Sequence, residues 1–145
     1  MIHEAFLLLV VVIVLFFSLR QPPKADSQVL NTVRENFIKI RPDYGNIPLY
    51  EGDSSYTDNK FSITLCIVDP KTKQYYDMNT IMYVALHELA HIVTPWTDEK
   101  GKRRKEHDEQ FKKNFRKLLK RASTLGLYNP SIATPETYCG LHAKV

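Results

Sequence analysis

Cysteine is scarce in this chain. Only Cys66 and Cys139 occur in 145 residues, which excludes the dense disulfide framework of a small secreted scaffold. The sequence alone leaves open whether these two pair. No internal repeat and no low-complexity tract is present, so a solenoid and a fibrous protein are set aside. No charge of one sign dominates: 20 Lys and Arg face 16 Asp and Glu, for a net charge of +4. Basic character is therefore local, not a property of the whole chain. What remains is an ordinary globular composition, 43% hydrophobic with 8 Tyr and 7 Phe, fit for a packed domain rather than a disordered one.

Long hydrophobic runs are also lacking, with one exception. Ala5 to Leu19 carries no charge. As a helix these residues span about 22 Å, short of the roughly 30 Å of a bilayer core unless the run is extended from Ile2. No Lys or Arg precedes it and no good small-x-small site closes it, which weighs against the rival reading of a cleaved signal peptide. Residues 1–20 are expected to be a transmembrane anchor and 21–27, with Pro22-Pro23, a linker. Arg20 and Lys24 follow the run, so the positive-inside rule predicts a single-pass membrane protein whose domain, residues 28–145, faces the cytoplasm.

Within that domain, His87-Glu88-Leu89-Ala90-His91 fits the pattern H-E-x-x-H. Histidines at i and i+4 lie one above the other on a helix, so both imidazoles reach one metal ion. Glu88 then points to the open side of that metal, where it can accept a proton from an activated water and pass it to a leaving amine. The helical context is present. Asp77, Asn79 and Thr80 are N-cap candidates, the apolar run from Ile81 to Ala90 is periodic, and Pro95 marks the stop. A mostly apolar helix is normally buried, and one Glu and two His in a core are costly unless a cation accounts for them.

A zinc hydrolase needs a third protein ligand and one open position. Downstream candidates are Asp98, Glu99, Glu106, His107, Asp108 and Glu109. The stripe Phe111, Phe115, Leu118, Leu119 and Ala122 predicts a helix over 105–124, and its phase puts His107 inward in the first turn. Asp108 or Glu109 is a candidate to hold an imidazole N–H from behind. His142, near the C-terminus, is a poorer competitor.

His87-Glu88-Leu89-Ala90-His91, the 16-residue step to His107, and the following Asp108-Glu109-Gln110-Phe111 resemble the SprT-like and WLM group of zinc metallopeptidases. In those proteins a third His opens a helix, with an aromatic four residues later. The resemblance covers roughly residues 61–122. It implies zinc on His87, His91 and His107, with Glu88 as the catalytic residue. A hydrophobic N-terminal segment and the lack of a zinc-finger tail depart from the family pattern. The resemblance is therefore carried over for peptidase chemistry only, and not for the family's role in DNA–protein crosslink repair.

The remaining elements read as a helix over 27–40, a short strand over 47–50, an alternating strand over 61–69, a turn at 70–73 and a strand over 74–76. The expected fold is a small α+β, zincin-like domain. Its substrate is expected to be a protein or peptide, laid against an edge strand of the sheet. Basic residues at 100–105 and along 112–121 read first as a solvated loop and helix face, and second as a contact for anionic lipid or nucleic acid. Two functions stand: a membrane-anchored zinc metallopeptidase, and a catalytically silent anchored module that keeps the fold for binding.

Overall fold

A computed structural model of the chain describes residues 27–139, together with the backbone of Leu141–His142. Helix α1, Gln28–Ile40, begins where the Ser27 hydroxyl accepts from the Leu30 amide at 3.0 Å, the arrangement that makes Ser a good N-cap. It buries Leu30, Val33 and Phe37 and stops at extended Arg41, ahead of Pro42. Ile38 on the same helix is exposed. Asn36 is buried instead, its amide 3.5 Å from Met82 Sδ. A 3-10 turn over Pro42–Asn46 leads into the sheet.

Three short strands form that sheet: β1 Leu49–Glu51, β2 Tyr56–Asp58 and β3 Ser62–Leu65. Their spatial order is β1-β3-β2, with β1 parallel and β2 antiparallel to β3. As the central strand β3 is buried on both faces, Ser62 and Thr64 included. The alternation expected over 61–69 therefore persists only in part. Phe61, at the start of that expected alternation, is exposed, and left-handed Asn59 and Lys60 turn the chain just before β3 begins. The strand expected over 74–76 reduces to a single bridge, Val68 to Tyr75. Its place in the sheet is taken by β2, which has no legible pattern of its own.

Helix α2, Met78–Val93, packs across the sheet and against α3, Glu109–Thr124. Asp77 caps α2, accepting from the Thr80 amide at 2.9 Å and the Thr80 hydroxyl at 2.7 Å. Burial of Ile81, Met82, Ala85, Leu86, Leu89 and Ala90 makes α2 the central element of the core. The α3 stripe inserts Phe111, Phe115, Leu118 and Ala122 against it. Beyond α3 the chain closes into a small hairpin, β4 Thr137–Tyr138 with β5 Leu141–His142. A disulfide joins Cys66 at the end of β3 to Cys139, settling the pairing that sequence left open.

The α+β class is thus observed: three helices packed with a small mixed sheet. The anchor expected over 1–20 and nearly all of the linker over 21–27 lie outside the described residues; Ser27 is the α1 cap. Among the described residues no helix is long and apolar enough to cross a membrane. That finding corrects the expectation of a single-pass membrane protein with a cytoplasmic catalytic domain. The most apolar described helix, α2, has 16 residues and buries its apolar side chains against protein.

Candidate metal centre

His87 and His91 stand one turn apart on α2, and His107 reaches them from the turn before α3. His107 Nε2 lies 3.1 Å from His87 Nε2 and 3.1 Å from His91 Nε2. All three ligand atoms fall within 4.8 Å of one another, the one such cluster among the described residues. Three imidazole nitrogens at this spacing cannot all be satisfied by each other, since one N–H at His107 Nε2 serves a single neighbour. A shared cation resolves the conflict. Metal bonds of about 2.0–2.1 Å at tetrahedral angles put nitrogens roughly 3.3 Å apart, close to the observed spacing.

His107 is not in the first turn of a helix, as its phase predicted. The α3 helix starts at Glu109 because the Asp108 carboxylate accepts from the Phe111 amide at 2.9 Å and so acts as the N-cap. His107 precedes the cap with φ +54°, in the left-handed region. For a non-glycine residue this costs on the order of 1 kcal/mol, and here the conformation turns the ring back onto α2. Phe111 supports the arrangement from beneath. Its ring centroid lies 5.0, 4.5 and 4.7 Å from those of His87, His91 and His107. Burial, then the neighbouring imidazoles, pushes His87 down to about 3. His91 is pushed to about 4 by burial first, then by His107 and Lys60. Both rings are therefore neutral, the form that binds metal.

Glu88 is 7% exposed and has no ion-pair partner among the described residues. Burial raises its carboxyl to about 7, opposed by the Thr57 hydroxyl 2.8 Å from Oε2. The same hydroxyl lies 2.9 Å from the Glu88 backbone carbonyl, so β2 grips this turn of α2 at two points. Three imidazole nitrogens beside a buried carboxyl group form a donor set that suits a divalent ion such as zinc. These residues line a cavity of about 610 Å³, with Tyr83 and Tyr138 among its walls.

The other candidates are placed elsewhere. Asp98 accepts from the Lys100 and Lys102 amides in a turn. Asp108 pairs with Arg104 at 3.0 Å and Glu109 with Lys112 at 3.3 Å, so neither is seen holding an imidazole. Glu106 borders the cavity without joining the cluster. Sequence reasoning missed Thr57, Lys60, Trp96 and Tyr138, all of which line the cavity. No periodic signal marks them; Trp96 alone was conspicuous, as the single tryptophan.

Three viral proteins are similar to this chain. The uncharacterized protein 136R of Invertebrate iridescent virus 6 is 42% identical over 95 residues, covering 64% of this chain and 49% of that protein. The uncharacterized protein R325 of Acanthamoeba polyphaga mimivirus is 41% identical over 108 residues, 73% of this chain and 51% of its own length. The uncharacterized protein 042R of Invertebrate iridescent virus 3 is 38% identical over 98 residues, 68% and 57% respectively. The chain spans about half the length of the curated relatives it matches. No protein-family model and no solved structure matches it.

Proposed function

We propose that the chain is a zinc-dependent metallopeptidase of the SprT-like and WLM kind, hydrolysing peptide bonds with Glu88 as general base. The observation that carries this reading is the convergence of three imidazole nitrogens from two elements next to a buried, unpaired carboxylate. His87, His91 and His107 would hold the ion, which leaves one tetrahedral position open. A zinc ion so held supplies Lewis-acid polarisation of water and of a peptide carbonyl.

Every other part of the chemistry falls to the chain. Glu88 takes a proton from the attacking water and returns it to the leaving amine. Thr57 keeps the carboxylate aimed by donating to Oε2. Among the described residues strand β2 pairs with β3 alone and borders the cavity through Tyr56 and Thr57, so its other edge is the place for an extended substrate to add as a strand.

The test is metal analysis of the purified full chain together with peptide cleavage by wild type and Glu88→Gln. The variant is expected to keep its zinc and lose a factor of about 10² to 10⁴ in turnover. Near wild-type turnover places the base elsewhere. A zinc-loaded wild type that cleaves no peptide decides for the catalytically silent module.

A further inference from the structure

We propose that the wall of this cavity formed by Lys60, Trp96 and Arg103 is a specificity subsite for an acidic side chain, so that the preferred substrates are peptides with Asp or Glu near the scissile bond. The inference rests on the peptidase reading and names its substrate class.

The wall is built rather than incidental. Lys60 Nζ lies 4.6 Å from the centre of the Trp96 ring, and the Arg103 guanidinium carbon 5.7 Å from it. Both distances fall within cation–π range. Lys60 also donates to the backbone carbonyl of His91, which ties this wall to a metal-ligating residue. The loop carrying Trp96 and Arg103 is pinned by a bridge between Thr97 and Arg103. The Arg104 amide adds a hydrogen bond to the Trp96 carbonyl at 2.9 Å.

Charge is left over at this spot. Arg104 is neutralised by Asp108, whereas Lys60 and Arg103 have no carboxylate partner among the described residues. Glu106 borders the same cavity but pairs with neither cation. Two cations without a carboxylate partner among the described residues, set at the rim of this cavity, favour an anion there. A peptide strand laid on β2 presents alternate side chains to one side, and the side facing the cavity meets this wall.

The anion favoured is a carboxylate on a peptide, not a nucleic-acid phosphate. Single-strand binding depends on aromatic faces on which bases stack, and here two cations already lie over the Trp96 ring. The cavity, about 610 Å³, suits a few side chains.

The experiment uses the zinc-loaded full chain and a fluorogenic peptide series in which one position near the cleavage site is Asp, Ala or Lys. Wild type is expected to prefer Asp over Lys by about tenfold in kcat/KM, the worth of two partly exposed ion pairs. Arg103→Glu should reverse that order and Arg103→Gln flatten it, while Arg116→Glu on α3, away from the cavity, leaves the ratio unchanged. A wild type indifferent to the varied residue, or an Arg103→Glu protein with the wild-type ratio, overturns the subsite. If no peptide of the series is cleaved, the peptidase reading fails separately. Fluorescence anisotropy on the same protein then decides the subsite: tighter binding of the Asp peptide supports it, and equal binding overturns it. Stronger competition by an oligothymidylate than by an oligoglutamate of equal charge assigns the wall to nucleic acid and also overturns the proposal.

Discussion

Breaking the Cys66–Cys139 bond should destabilise the domain through its unfolded state. The bond closes a loop of 73 residues. In the chain-entropy treatment a loop of that length restricts the unfolded ensemble by about 15 cal/mol/K, or about 4 kcal/mol at 25 °C. Domains of this size are stable by only about 5–15 kcal/mol, so the loss is a large fraction of the whole. The native side should change little. Tyr138 still donates to the Cys66 carbonyl, the Cys139 amide still donates to the Tyr76 hydroxyl at 2.9 Å, and the Tyr76 and Tyr138 rings stay stacked at 4.5 Å. The assay is urea unfolding followed by Trp96 fluorescence, with and without reductant. With a slope of about 1.5 kcal/mol/M the midpoint should fall by roughly 2–3 M. The double variant Cys66→Ala, Cys139→Ala should match the reduced protein and ignore reductant. A loss below about 1 kcal/mol, or a reductant effect in the double variant, would refute the reasoning.

His107→Ala should weaken zinc binding by orders of magnitude because it removes one of three ligands, whereas Glu106→Ala should leave zinc content unchanged; equilibrium dialysis against a chelator reads both. Phe111→Ala, at a residue only 2% exposed, should cost about 3–5 kcal/mol and loosen the three imidazole rings packed against it. Its check is a lowered Tm in apo and zinc-loaded protein alike. Asp77→Ala should cost about 1 kcal/mol by removing the α2 cap. Burial, the largest single effect, acts to raise the Asp77 carboxyl, but hydrogen bonds from the Thr80 hydroxyl and amide and from the Asp77 and Asn79 amides together hold it below its ordinary value. The cap's contribution is therefore fully present above the ordinary carboxylate value and lost as pH falls below it and through the lowered value in the folded state. Stability curves of wild type and variant should converge at acid pH, and curves that stay parallel would contradict the assignment.

Much of this protein was legible in local pattern. Helix periodicity and capping chemistry reach only three or four residues along the chain, so Ser27, Asp77 and Pro95 announced the bounds of α1 and α2. The i, i+4 pair His87 and His91, with Glu88 between, needs nothing but a helix to share one face of chemistry. The third ligand was legible as a residue but not as a conformation. Phase gave His107 an inward direction, yet Asp108 competes for the helix start, and the ring arrives through a left-handed turn.

Only the tertiary structure decided the rest. Strand β2 exists because β3 offers it hydrogen bonds, not because Tyr56-Thr57-Asp58 prefers to be extended. Through that pairing the Thr57 hydroxyl meets a carboxylate 31 residues away. Lys60, Trp96 and Arg103 come together across the loops before β3 and after α2, and Cys66 finds Cys139 across 73 residues. Such contacts form between segments that share no sequence period. Their partners are chosen by which surfaces the packed α2 and the sheet bring within a few ångströms, and no window along the chain contains that information.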